Sequence, residues 1–114
     1  MSKINTLSHP LVDCHLSTLR CRETNSAGFR QSVGQLSQLL ALHATQNLVT
    51  EEFPIKTPIQ PTIGKRLSQS IGLIPILRAG ISMVDPVLNL IPGSEVWHLG
   101  FYRDEETRAA GSLL

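Results

Sequence analysis

The run Ile71-Gly72-Leu73-Ile74-Pro75-Ile76-Leu77 is almost wholly apolar and is stopped abruptly by Arg78-Ala79-Gly80. A short, unalternating run of this kind suits a strand covered on both faces, as in a parallel α/β sheet flanked by helices. It is also the longest strongly apolar stretch in the chain, well short of the ~20 residues a membrane-spanning helix requires. The residues after the run decide the topology. Ile81 to Leu90 can form a helix, with Pro86 kinking it or opening its main part, and Pro92-Gly93 ends it. Glu95-Val96-Trp97-His98-Leu99 reads as a second strand. Strand, helix and strand make a βαβ unit, which implies parallel strands and a right-handed crossover.

Upstream, two helices are expected. His9-Pro10 marks a start, because proline is tolerated at the first helical position. Leu11, Val12, Leu16 and Leu19 recur at helical spacing, and the helix should end near Cys21. Glu23-Thr24-Asn25-Ser26 offers caps for the next helix. There Phe29, Val33, Leu36, Leu40 and Ala44 form an apolar stripe widened by Leu39, weakened by Gly28 and Gly34. His15 and His43 are expected to be partly buried with backbone partners. From Phe53 to Ile63 the apolar residues alternate as Phe53, Ile55, Ile59 and Ile63, with Pro54, Pro58 and Pro61 between them. Proline cannot donate to a ladder, so the pattern predicts edge strands or an irregular hairpin. Gly64-Lys65-Arg66 is expected to be a turn.

With 114 residues there is room for one small domain. A net charge of +1 lacks the basic excess of a general nucleic-acid binder, and a hydrophobic share of 41% excludes wholesale disorder. The N-terminus carries no apolar core of signal-peptide length, so a cytoplasmic chain without a membrane segment is expected. The two cysteines, Cys14 and Cys21, would lie ~10.5 Å apart along one helix, beyond the ~7 Å that a disulfide can bridge. They are expected to be buried structural thiols, and their spacing is not that of a metal site.

In open α/β sheets ligands bind beyond the carboxyl ends of the strands. Arg78-Ala79-Gly80 follows the first strand and Arg103-Asp104 the second. Arginine matches phosphate oxygens through paired N–H donors, and a small-residue loop can present backbone N–H groups to the same anion. Gly80 also permits unusual backbone angles. Arg78 and Arg103, with the backbone of Ala79 and Gly80, are therefore candidates for a phosphate or diphosphate site. The alternatives are that Arg78 caps a helix or pairs with Asp85, and that Arg103 pairs with Glu105 or Glu106.

Ile74-Pro75-Ile76-Leu77-Arg78-Ala79-Gly80 resembles the V-P-I-L-R-A-G segment of uracil phosphoribosyltransferases. Three further segments are similar to that family in the same order. They are Ser8-His9-Pro10-Leu11-Val12, the helix bearing Phe29-Arg30, Leu39-Leu40 and Ala44-Thr45, and Tyr102-Arg103-Asp104-Glu105-Glu106-Thr107. The resemblance covers residues 7–107 and leaves 108–114 unmatched, so residues 1–114 are read as a single partial domain. It implies an α/β fold with a type I phosphoribosyltransferase-like parallel sheet, incomplete, with N-terminal helices and an edge β-hairpin. It implies pyrimidine salvage, uracil and phosphoribosyl diphosphate (PRPP) giving UMP and diphosphate, usually with Mg²⁺. In the family, arginines of the two matched loops contact PRPP; carried over, these are Arg78 and Arg103, with Ala79 and Gly80 lining the diphosphate through backbone groups.

The family's D-x-x-x-A-T-G-G loop, which holds the ribose phosphate and hydroxyls, and its C-terminal glycine-rich uracil segment find no counterpart in this sequence. The chain alone is therefore expected to be marginally folded and inactive. Expected protein partners are a homo-oligomer or a complementing C-terminal fragment. A non-catalytic interaction or regulatory protein, or a truncated gene product, is the competing expectation.

Overall fold

A computed structural model describes residues 3–91, 93–97, 100–103 and 110–113, the last two segments by their backbone. The architecture is α/β. Helices α1 (Pro10–Arg20) and α2 (Ser26–Ala44) are followed by strands β1 (Thr50–Lys56), β2 (Pro61–Leu67) and β3 (Gly72–Leu73). A 3₁₀ turn at Ala79–Met83 then runs into α3 (Val84–Leu90), and β4 (Glu95–Val96), β5 (Gly100–Arg103) and β6 (Ala110–Leu113) complete the order. Among the described residues the strands form three two-stranded sheets: β1 with β2, β3 with β4, and β5 with β6.

The helix ends follow their local chemistry. His9 caps α1 by accepting the Leu11 N–H on Nδ1 at 3.1 Å, with Pro10 at the first helical position. Cys21 is the C-cap, where the helix was expected to stop. Asn25 caps α2, its Oδ1 accepting the Gly28 N–H at 2.7 Å. Gly93 adopts a φ of 84° just beyond α3, a left-handed conformation that a glycine enters without steric cost. Pro86 falls in the first turn of α3 and so starts the helix without breaking it.

Helix α2 is the hub, packing on α1, on the 3₁₀ turn and on α3. The face it presents differs from the expected stripe. Ser32 and Ser37 are buried, whereas Phe29 is 47% and Leu40 41% exposed. The reason lies in how closely the helices approach. A Cβ at Gly34 would stand 3.2 Å from Pro86 Cγ, and Gln38 Nε2 donates to the Pro86 carbonyl at 3.0 Å. Such proximity needs small residues on the contact face, and Ser37 ties its own hydroxyl to the Val33 carbonyl at 2.6 Å. The large apolar residues are left to either side of that contact.

The hairpin forms as a two-stranded antiparallel ladder in which Pro54 stands opposite Ile63. Its loop is closed by Thr57, whose hydroxyl accepts the N–H groups of Ile59 and Gln60. The expected turn at Gly64-Lys65-Arg66 is instead the middle of β2. Gly64 pairs with Phe53 beneath the Ile55 side chain, and Arg66 stands opposite Glu51, bonded Nε to Oε1 at 2.8 Å. Its guanidinium also lies over the Phe53 ring at 4.7 Å. Both charged partners are about half exposed, so the pair contributes roughly 0.2–1 kcal/mol and mainly sets register.

The parallel pairing of β3 with β4 is as the βαβ pattern predicts, Gly72 opposite Glu95 and Leu73 opposite Val96. The expected burial is not. Ile74 is 56% and Ile76 68% exposed; the regular β3–β4 ladder ends at Leu73, Pro75 has no N–H to donate, and Ile76 stands in an isolated bridge. The second strand is likewise shorter than expected; Trp97 follows it, donating its N–H to the Leu73 carbonyl at 2.8 Å, and His98 and Leu99 lie outside the described residues. The β5–β6 hairpin was not anticipated. The two cysteines are unpaired, as their spacing predicts, but exposed, because both stand on the outer side or end of α1 and not against α2. His15 and His43 are half-buried, with no side-chain hydrogen bond among the described residues.

These elements leave much apolar surface open. The accessible surface is 9614 Å², against roughly 6,200 Å² for a compact protein of this mass. The radius of gyration is 18.5 Å, against about 13 Å for a compact domain of this length. Among the described residues only Val12 and Ile91 are large aliphatic side chains counted as buried. The isolated chain should therefore bind a hydrophobic-surface dye and lose its helical circular dichroism over a broad temperature range. A sharp two-state melt without dye binding would show instead that these elements close a core of their own.

Candidate phosphate-binding loop

The loop Arg78-Ala79-Gly80 sits where the apolar segment after β3 turns into the 3₁₀ turn. The Leu77–Arg78 peptide is cis. Arg78 has φ −101° and ψ −9°, and its carbonyl accepts the Ile81 N–H at 3.2 Å. The turn is fastened from below: the Gly80 N–H donates to the Ile76 carbonyl at 2.8 Å. Behind it, α2 packs on both the 3₁₀ turn and α3, so the loop is backed by helices.

Arg78 and Ala79 are both exposed at the surface. Among the described residues the Arg78 guanidinium forms no ion pair, and Asp85 does not take it; the one described pair is Arg66 with Glu51. Nor does the Arg78 side chain cap the turn it precedes. Both structural alternatives for Arg78 are thus set aside, and a planar cation is left standing at the end of an apolar segment. That is the arrangement a phosphate or diphosphate group would use.

The backbone contribution is narrower than expected. Gly80 has no positive φ, and a Cβ there would make ordinary contacts of 3.5 Å with Pro75, so its special freedom is not used. Its N–H is already committed to Ile76. The Ala79 N–H, with no backbone acceptor outside the turn among the described residues, is the donor that remains for an anion.

Arg103 is placed differently from its expected loop. It is the last residue of β5, opposite Ala110 of β6, in a sheet separate from β3–β4. Its side chain, and Asp104 to Thr107, lie outside the described residues, as does any pairing of Arg103 with Glu105 or Glu106. Sequence reasoning passed over another cationic feature. A cavity of about 650 Å³ at the base of the β1–β2 hairpin is lined in part by Lys65, Arg66, Gln69 and Ser70. Reading Lys65-Arg66 as a turn hid it. The Arg78 loop borders instead a shallow apolar groove of about 330 Å³ that includes Ile74, Pro75, Ile76 and Gly80. Among the described residues there is no group of three or more His, Cys, Asp or Glu side chains able to hold a metal. No helix among them is long and apolar enough to cross a membrane.

The model of the family described as uracil phosphoribosyltransferase matches residues 6–113, extending past Thr107. Uracil phosphoribosyltransferase of Roseiflexus sp. (strain RS-1) is 47% identical over 107 residues, which are 94% of this chain and 51% of that protein. Its counterpart in Clostridium beijerinckii is 48% identical over 108 residues, 94% of this chain and 52% of the relative. The solved structure of the AQ2163 protein from Aquifex aeolicus superposes with a TM-score of 0.87 at 31% identity, covering 98% of this chain and 54% of that one. The chain thus spans about half the length of the relatives it matches.

Replacing Arg78 with alanine should weaken the binding of inorganic diphosphate by one to two orders of magnitude in calorimetric titration, about 1.5–3 kcal/mol for a charge-assisted contact. Arg66→Ala, which removes a cation already engaged by Glu51, should leave it unchanged. Equal losses in both variants would indicate that only general positive charge matters.

Proposed function

Because the chain belongs to the uracil phosphoribosyltransferase family, we propose that it supplies the N-terminal half of an enzyme converting uracil and PRPP to UMP and diphosphate. The observation that carries this reading is Arg78, without an ion pair among the described residues, at the end of the segment Ile74–Leu77, in the stretch that resembles the family's V-P-I-L-R-A-G loop. In the reaction the bond from the ribose anomeric carbon to the diphosphate oxygen breaks, the electron pair leaving with diphosphate. A bond to uracil nitrogen forms, and the proton on that nitrogen is released. Negative charge grows on the leaving group while the sugar takes on oxocarbenium character. A cation already fixed beside the diphosphate stabilises that charge without reorganising.

In this proposal Arg78 and the Ala79 N–H grip the diphosphate, and Arg103 approaches it from β5. Gly80 acts by fastening the turn. Magnesium is assigned to the diphosphate of PRPP, as the family resemblance implies. The parallel β3–β4 pair is taken as the start of a type I phosphoribosyltransferase sheet, and the site of action as the cytoplasm. The ribose-phosphate loop and the uracil-reading segment belong to a complementing C-terminal half, without which this chain does not turn over.

The purified chain should form no UMP from uracil and PRPP. Co-expressed with the C-terminal half of the Roseiflexus relative, it should do so, and Arg78→Ala should lower the rate of that complex at least tenfold. Turnover by the chain alone would refute the half-enzyme reading. A complex that forms and stays inactive would refute the assignment of activity.

A further inference from the structure

Gln38 is half-buried on α2, and its amide reaches a distant part of the chain. Its Nε2 donates to the Pro86 carbonyl at 3.0 Å, spanning 48 positions in the sequence. Among the described residues it is the one side-chain hydrogen bond from α2 to the 3₁₀ turn or to α3. Gly34 stands one turn earlier on the same helix face, with Pro86 Cγ 3.2 Å from where its Cβ would be. Two contacts of different kinds therefore meet on one proline. The ring contact limits how near the helices come but gives little preference in direction. The hydrogen bond is directional and weakens steeply as its angle or length changes. It fixes where the first turn of α3 lies along α2.

Pro86 is in turn tied to Arg78 through helical backbone. The Val84 N–H donates to the Ile81 carbonyl, and the Ile81 N–H to the Arg78 carbonyl at 3.2 Å. Met83 both ends the 3₁₀ turn and caps α3, so no loop intervenes between the two. The path from Gln38 to Arg78 is thus one side-chain bond, the first turn of α3 and two backbone bonds. The Arg78 side chain has no ion pair among the described residues and does not cap the turn. The placing of its guanidinium depends on the backbone that carries it.

We propose that Gln38 is a positioning residue for the diphosphate site: its amide, acting through Pro86 and the 3₁₀ turn, holds the Arg78 loop in the conformation that receives the anion, and touches no ligand itself. This rests on the reading of Arg78 as a diphosphate contact. An anion that meets a loop already fixed does not have to order it, so loss of the Gln38 bond is felt as lost affinity.

The test is calorimetric titration of inorganic diphosphate into the full chain and its variants. Gln38→Met keeps the length of the side chain and removes the donor. Gln38→Asn keeps the amide and leaves it one methylene short of the carbonyl. Each should weaken diphosphate binding about three- to tenfold, the range for loss of one hydrogen bond between uncharged groups. Thr24→Val removes another half-buried bond, from Thr24 Oγ1 to the Thr18 carbonyl at 2.7 Å, at the junction of α1 and α2. It should leave binding unchanged. In an Arg78→Ala background Gln38→Met should have a further effect of less than about twofold, because a residue that works through Arg78 then has nothing left to position. A general loosening of the fold would lower affinity in either background.

The proposal is overturned if both Gln38 variants bind diphosphate like the parent, if Thr24→Val weakens binding equally, or if the Arg78→Ala and Gln38→Met losses simply multiply. It is also overturned if both Gln38 variants lose the parent's helical circular dichroism while Thr24→Val keeps it, which would make Gln38 a folding residue. Binding undiminished by Arg78→Ala overturns the reading of Arg78 and this one together. A loss at Arg78 without one at Gln38 overturns this one alone.

Discussion

Helix α2 lies against Pro86 more closely than a methyl group ordinarily tolerates, and the rest of the structure depends on that approach. Gly34 makes it sterically possible, and the Gln38 amide holds it by bonding the Pro86 carbonyl. Pro86 fixes the start of α3, and α2 also packs on the 3₁₀ turn. The loop carrying Arg78 is therefore positioned from behind, through helices, and not through the strand that precedes it. Any side chain at position 34 would press on Pro86 Cγ, which would have to give by a few tenths of an ångström. This explains how an anion-binding loop can be held in place although the sheet in front of it has only two strands among the described residues.

The same arrangement divides the molecule into a supported and an unsupported side. Toward α2, polar groups are satisfied and small residues are buried: Ser32 and Ser37 are both buried, and no buried side-chain polar atom among the described residues lacks a partner. Toward the sheet, aliphatic side chains stand open. Burying an aliphatic side chain stabilises a fold by about 1.5–3 kcal/mol, so leaving Ile74, Ile76 and Ile81 in solvent forgoes several kcal/mol. That is comparable to the whole net stability of a small domain.

Local chemistry was legible in the sequence, and surroundings were not. Pro10 and His9, Asn25, and Gly93 announced the ends of their helices because a cap or a left-handed turn is a property of one or two residues. The βαβ order was legible for the same reason: run length and punctuation are local. Burial was misread wherever it depends on a neighbour. An unbroken apolar run predicts two covers, and Ile71–Leu77 met one short partner strand. The stripe of Phe29, Val33, Leu36 and Leu40 predicts a wide apolar contact, but the close approach to Pro86 falls on Gly34 and Gln38 instead, and Phe29 and Leu40 stay partly open. Lys65-Arg66 after a glycine looks like a turn until Glu51 and Phe53 are known to stand opposite. At the candidate site, Arg78 was found from its position alone, whereas the commitment of the Gly80 N–H to Ile76 is visible only in the folded chain. Arg103 was read as a loop residue because nothing in Tyr102-Arg103 signals that β5 has an antiparallel partner.

The separation between a helical side that is finished and a sheet side that is not also sets an order in time. A polypeptide that carries this sequence ahead of the remainder of such a domain emerges from the ribosome with its local contacts available first: α1 on α2, the β1–β2 ladder, and α2 on α3. The remaining half of the Roseiflexus relative is about as long as the matched 107 residues, which at ~5–20 residues per second takes roughly 5–20 s to synthesise. Throughout that interval the edge of β3 and the isoleucines beside it are exposed to the crowded surroundings of the ribosome. The apolar segment ending at Arg78 is then exposed surface before it is part of a binding site.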